Sequence, residues 1–156
     1  LKRQSNVDPM KIGAIAYNEM CLALVHAAAF ESSIVNISLI GSLISYRSVA
    51  MNRFHKIGIT KRPQSPDHWH PVEVDLSWGI ASVLTGYDLP DLIGSIAPRK
   101  VILAELRDQM LEPAPTELIN KEMEFPRSVY SRQAPGNLKI LEKLEDLNVI
   151  LQWAFE

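Results

Sequence analysis

Residues 7–29 read VDPMKIGAIAYNEMCLALVHAAA and combine a turn, a short apolar run and an alanine-rich segment. Pro9 fixes its own φ and keeps Asp8 out of the helical region, which indicates a turn. The run KIGAIA at 11–16 has no alternation of polar and apolar residues, the pattern of a strand buried on both faces of a parallel sheet. From Met20 onward the alanine-rich segment is typical of a helix that packs closely on a sheet. We therefore predict a strand, a sharp turn and a helix.

Composition limits the classes of protein to which the chain can belong. With 156 residues, a net charge of −2 and 47% hydrophobic residues, the sequence predicts one domain over residues 1–156 with a real core. The 16 basic residues are outnumbered by 18 acidic ones and form no long run, so we expect no nucleic-acid partner. No apolar stretch is long enough for a bilayer, so we expect no membrane partner. The single cysteine, Cys21, excludes an intrachain disulfide, and we interpret it as a packing residue.

The rest of the chain continues the alternation of strands and helices. Asp88 caps a helix that opens near Pro90, and another helix begins at Thr116. Further strands are predicted at 33–40, 101–104 and 128–133, and a final helix at 138–155. The predicted fold class is α/β, a mostly parallel sheet of about four strands with helices on both faces.

Two stretches resemble a known family. The lead-in VDPMKIG, the five-residue turn AYNEM and the helix ending HAAA are similar to the nucleophile region of the α/β-hydrolase superfamily. The string YDLPDLIGSIAPRKVIL at 87–103, with HPVEV at 70–74, resembles the acetylxylan-esterase-like group of bacterial carbohydrate esterases. The resemblance implies the C-terminal half of an α/β-hydrolase three-layer sandwich, and hence a piece of a longer protein. The implied partner is the missing N-terminal half of the same fold.

The resemblance also assigns a nucleophile position, which Asn18 occupies. In the family the turn reads G-x-S-x-G, and its serine attacks an ester or amide. Here Ala16 and Met20 replace the glycines, and a carboxamide is a poor nucleophile for acyl transfer. Asparagine does tolerate the positive φ that this position demands. We expect the shape of the turn to persist without its chemistry.

The remaining members of the implied triad are Asp108 and an absent histidine. In the family the acid follows the strand after the APR string, which places Asp108 in that role. The alternative is that Asp108 pairs with Arg107 or caps the next turn. The histidine is expected after the strand at 128–133, but the loop at 134–137 reads APGN, with Asn137 as the nearest match. Asparagine cannot accept and return a proton as imidazole does.

Several side chains are expected around the nucleophile position because the ends of parallel strands converge. Candidate substrate-binding residues, besides the catalytic pair Asn18 and Asp108, are Tyr17, Glu19, Tyr46 and His70. Arg47 is a further pocket-lining candidate; for Tyr46 and Arg47 the alternative is a loop packed under the next segment. The pair His68 and His70 lacks a carboxylate or cysteine framework, so we expect neither a metal nor a cofactor.

Two functional hypotheses remain open. The first is an esterase homologue without the standard serine chemistry, acting as a binding or structural domain for acetylated glycan fragments. The second is an active carbohydrate esterase with a relocated nucleophile, Ser42, Ser45 or a serine outside the chain. By the same analogy the protein is secreted or periplasmic. The resemblance further implies that residues 11–16 need a partner strand, because in the family this strand pairs with one from the N-terminal half, and an unpaired apolar strand edge promotes aggregation.

Overall fold

The computed structural model describes residues 4–8, 11–56 and 79–155. Within them the strands are β1 (Ile12–Tyr17), β2 (Ile34–Ile40), β3 (Lys100–Ala104) and β4 (Leu138–Leu141). The helices are α1 (Met20–Phe30), α2 (Tyr46–Ala50), α3 (Leu89–Ser95), α4 (Thr116–Glu122), α5 (Glu124–Gln133) and α6 (Leu147–Phe155), with a short 3₁₀ turn at Val83–Thr85. No helix in this part of the chain is both long and apolar enough to cross a bilayer.

The four strands form one parallel sheet in the order β1-β2-β3-β4. Helices cover both faces. One core lies between the sheet and α1, α3, α4 and α5, and it includes Val25, Ile37, Ile93 and Leu103. A smaller core joins α6 to the other face through Ile40, Ile102, Ala104, Ile150 and Trp153. The expected α/β class with about four strands is therefore confirmed.

Two predicted elements near the C-terminus are wrong. Residues 128–133 belong to helix α5 rather than to a strand, since Pro126 and Tyr130, four residues apart, are buried on one helical face. The fourth strand is β4 instead, and it occupies the start of the predicted final helix. That helix begins only at Leu147. Asp146 precedes it and accepts a hydrogen bond from the Asn148 N–H at 2.9 Å. Short apolar runs fit both periodicities, and here tertiary packing decided between them.

The prediction that the first strand is buried on both faces is also wrong. Ala16 is buried, but Gly13, Ile15 and Tyr17, which alternate with it, are exposed. Strand β1 lies at the edge of the sheet, and the small core under α6 includes residues of β2 and β3 but none of β1. The apolar run therefore reflects one buried face and one uncovered face.

The YDLPDL and APR strings have structural roles. Asp88 begins α3 with a reciprocal cap, in which Asp91 accepts from the Asp88 N–H at 2.8 Å. The Asp88 carboxylate also accepts from the backbone N–H groups of Tyr46 at 2.6 Å and Arg47 at 3.0 Å, which fixes the start of α2. The Arg99 guanidinium donates to carbonyls at the end of α1 and the start of β2, including Ala28 at 2.7 Å.

Candidate functional site

The candidate site lies at the C-terminal edge of the sheet, where ligands collect in parallel α/β folds. Tyr17, Ile40, Ala104 and Leu141 end the four strands at this edge. The residue that follows β1 is Asn18, whose φ is +50°, in the left-handed region. The expected positive φ at this position is therefore present.

Local packing explains the position of Asn18. Its N–H donates to the Ile40 carbonyl at 2.8 Å, and its carbonyl accepts from the Cys21 N–H at 3.0 Å, at the start of α1. Its side chain lies over Gly41, where a Cβ atom would come within 2.6 Å of the Asn18 Oδ1. Gly41 is thus required at the end of β2, both by this contact and by its own φ of +70°.

The residues on either side of Asn18 are open to solvent. Tyr17 is 47% exposed, and Glu19 is also exposed. Asn18 itself is exposed as well. The turn therefore offers a phenol, a carboxamide and a carboxylate side by side at the surface, a set that can form hydrogen bonds with a polar ligand.

Tyr46 is placed differently from these neighbours. It is the first residue of α2 and is only 6% exposed, and its hydroxyl is buried without a hydrogen-bond partner. Burial, aided by the nearby Tyr87 and Asp88, raises its pKa to about 12. Together with Val49 and Val83, Tyr46 lines a small apolar pocket of about 260 Å³. Tyr46 therefore packs between α2 and the 3₁₀ turn at Val83–Thr85.

Asp108 follows β3 at the same edge as Asn18, with the end of β2 between them. Its Oδ1 accepts from the backbone N–H of Met110 at 2.7 Å and of Glu112 at 3.1 Å. Its own N–H donates to the Glu112 carbonyl at 3.0 Å. Asp108 therefore caps a tight turn, which is one of the two alternatives that the sequence left open.

The loop at residues 134–137, where the sequence analysis placed the histidine position, lies at the opposite edge of the sheet from Asn18. Residues 134–137 lead into β4, so they lie at the N-terminal edge of the sheet, and Asn137 donates from Nδ2 to the Pro98 carbonyl at 2.7 Å. The corresponding loop at the C-terminal edge follows β4 and reads EKLED at 142–146. It also contains no histidine. The expectation that Asn137 occupies the histidine position is therefore wrong, because the strand assigned before it is a helix.

The two serines considered as relocated nucleophiles are buried. Ser42 is 3% exposed, and its Oγ donates to the Leu43 carbonyl at 3.2 Å. Ser45 is fully buried and caps α2, accepting from the Ser48 N–H at 3.0 Å. Neither hydroxyl is presented to a substrate.

Cys21 and His26 on α1 are packing residues. The Cys21 thiol donates towards the carbonyls of Ala16 at 3.3 Å and Ile40 at 3.4 Å, and burial raises its pKa to about 11. The Nδ1 of His26 lies 2.6 Å from the Leu22 carbonyl, and the centre of its ring lies 5.6 Å from that of Tyr87, with the two rings tilted by 58°. His68 and His70 lie outside the described residues. Within the described ranges no group of three His, Cys, Asp or Glu residues could hold a metal.

Sequence reasoning missed a polar cleft beside this edge. Arg47, which it named as a pocket-lining candidate, does line a cleft, together with Asp91, Glu122 and Phe125. The buried acid Glu122 falls at the junction of α4 and α5, where the predicted strand obscured the second helix. The signal available in the sequence was the charged string NKEMEF at 120–125.

Comparison of the chain with protein-family models, with curated proteins and with solved structures gave no match. The fold and the site geometry are therefore the basis for a functional conclusion, with the sequence resemblance as an additional hypothesis.

Proposed function

We propose that this protein is an α/β-hydrolase-like domain related to bacterial acetylxylan and carbohydrate esterases. In this proposal it acts as a binding or structural domain and does not hydrolyse esters. In this proposal the exposed turn of Tyr17, Asn18 and Glu19 contacts a polar ligand, for which acetylated glycan fragments are the candidates. Such a fold supports many functions, so the proposal rests on the site rather than on the fold class.

The observation that carries the proposal is the geometry of Asn18. A non-glycine residue with positive φ between a strand and a helix costs free energy and points to a constrained position. The carboxamide of Asn18 has no ionisable proton near neutral pH. The loop that follows β4 contains no histidine. Acyl transfer by the triad mechanism needs both an activated nucleophile and a histidine base, so the carboxamide of Asn18 and the lack of a histidine in that loop both argue against it.

The alternative is an active esterase that uses another nucleophile. Burial argues against Ser42 and Ser45, as does the use of Ser45 as a helix cap. A serine supplied from outside the chain would still satisfy this alternative. A fluorophosphonate probe and an aryl acetate substrate separate the two proposals. We expect no stoichiometric labelling and no turnover above the uncatalysed rate; stoichiometric labelling or turnover of acetylated xylan would overturn the non-catalytic proposal.

The variant Asn18→Ser tests whether the turn lacks only its nucleophile. We expect it to fold and to remain within about tenfold of the background rate with an aryl acetate, because the loop after β4, at the edge where the family's histidine is expected, contains no histidine to activate the new hydroxyl. Asn18→Ala serves as the matched control, since it removes the carboxamide without adding a hydroxyl. Turnover by Asn18→Ser that exceeds Asn18→Ala by several orders of magnitude would reveal a base and contradict the proposal.

A further inference from the structure

A charged cleft of about 340 Å³ lies where the start of α2, the start of α3 and the junction of α4 and α5 meet. We call it the Arg47–Glu122 cleft. Its walls carry acidic and basic side chains together with one aromatic ring: Arg47, Asp91, Lys121, Glu122, Glu124 and Phe125. Its volume is at the low end of the range for small-molecule sites, which favours a small ligand.

Glu122 is the most informative residue of the cleft. It is only 8% exposed, and no donor among residues 4–8, 11–56 and 79–155 forms a hydrogen bond or ion pair with its carboxylate. It is also the last residue of α4, where the helix dipole disfavours a negative charge. The residue as a whole is packed, but its carboxylate oxygens are not enclosed, so a ligand in the cleft can reach them.

Two cations line the same cleft without neutralising this carboxylate. Arg47 and Lys121 are exposed, and neither side chain forms an ion pair with any described residue. The backbone N–H of Arg47 is held by Asp88, so the base of its side chain has a fixed position. The cleft therefore presents charges of both signs: the Glu122 carboxylate and two exposed cations have no described ion-pair partner, and Asp88, Asp91 and Glu124 add further acids to the wall.

Phe125 supplies an apolar wall. Its ring packs on Gly94 of α3, where a Cβ atom would come within 2.7 Å of the Phe125 Cε1. The ring is nevertheless 51% exposed, and it lines the cleft with Glu122. An aromatic face beside a carboxylate favours an organic cation, because the ring quadrupole adds to the attraction of the carboxylate.

We propose that the Arg47–Glu122 cleft binds a small zwitterion that carries a primary ammonium and a carboxylate. The ammonium group pairs with Glu122 and lies against Phe125, and the carboxylate group pairs with Arg47 and Lys121. This proposal is independent of the hydrolase comparison, because none of these residues belongs to the turn at Asn18.

Isothermal titration calorimetry with γ-aminobutyrate, butylamine and butyrate tests the proposal on the full chain near neutral pH. We expect γ-aminobutyrate to bind saturably and more tightly than either half. The variant Glu122→Gln should lower its affinity at least tenfold, since it removes the charge and keeps the shape. The variant Arg47→Met should lower the affinity for γ-aminobutyrate and leave that for butylamine unchanged.

The matched control is Glu117→Gln, which removes an exposed carboxylate from the same helix outside the cleft. It should bind γ-aminobutyrate as the unaltered protein does. Thermal unfolding of each variant separates binding from folding: without ligand, Glu122→Gln should be at least as stable as the unaltered protein. Absence of saturable binding by γ-aminobutyrate, equal losses in Glu117→Gln and Glu122→Gln, or equally tight binding of butylamine would each overturn the proposal.

Discussion

Asn18 and Cys21 illustrate how single residues determine the chemistry of this sheet edge. Asn18 adopts a positive φ and keeps its side chain over Gly41, yet it provides no nucleophile. Three residues later, Cys21 is the one thiol of the chain, and it is fully buried between the carbonyls of Ala16 and Ile40. The Cys21 thiol, the most nucleophilic side chain near this edge, is thus enclosed in the core.

The Cys21 thiol should react with DTNB only when the protein unfolds. At pH 8 we expect labelling of the native protein to be at least about 100-fold slower than labelling in denaturing urea, because the thiolate is both scarce and inaccessible. Burial raises the pKa to about 11, so the folded state holds this proton more tightly than the unfolded state, and stability should decline as pH rises from 9 towards 11. The stability of Cys21→Ala, measured by urea denaturation, should depend less on pH over that window. Rapid labelling of native protein would contradict the burial of Cys21.

Element boundaries show where local patterns suffice and where they do not. The strongest local signals, the Asp88 cap before α3 and the alanine-rich helix α1, were predicted correctly. The segments around α5 and β4 were exchanged. A run such as LKIL at 138–141 contains too few residues to distinguish a strand from the first turn of a helix.

The carboxylate of Asp88 joins α2 to α3, so its removal should cost more than the loss of an ordinary helix cap. It accepts three backbone hydrogen bonds, from Leu89, Tyr46 and Arg47, and it is 2% exposed. We expect Asp88→Ala to lower the free energy of unfolding by about 2–4 kcal/mol, because each buried donor left unpaired is costly. Urea denaturation measures this change. Asp146→Ala, which removes an exposed cap from α6, is the control and should cost clearly less; equal losses would contradict the role of Asp88.

At the scale of the whole molecule, β1 is an edge strand of the described sheet. This strand pairs only with β2 among the described residues, and its outer face exposes Ile15 and Tyr17. Open strand edges with apolar side chains favour pairing with another chain. We propose that β1 is completed by a further strand, as the hydrolase comparison implies for the N-terminal half of that fold.

Expressed by itself, residues 1–156 should self-associate or be insoluble, and Ile15→Lys should shift the population towards monomer. A lysine on an edge strand opposes pairing with another chain because it places an unpaired charge on the surface that the other chain would cover. Phe30→Lys is the matched control: it replaces an apolar residue of α1 that is 86% exposed and lies away from the strand edge. Size-exclusion chromatography with light scattering measures the distribution. A monodisperse monomer of the unaltered chain with a cooperative unfolding transition would contradict the need for a partner strand.

By itself the sequence determined the fold class and the strand–turn–helix at residues 12–30, and its resemblance to the hydrolase turn implied the positive φ at Asn18. These features depend on local chemistry: apolar run length, alanine content, caps and the tolerance of asparagine for the left-handed region. Tertiary structure alone decided that β1 is an edge strand, that Ser42 and Ser45 are buried, and that Glu122 and Arg47 share a cleft. Such features depend on which distant segments pack together, and the free energy of that packing is not encoded in any one short stretch of chain.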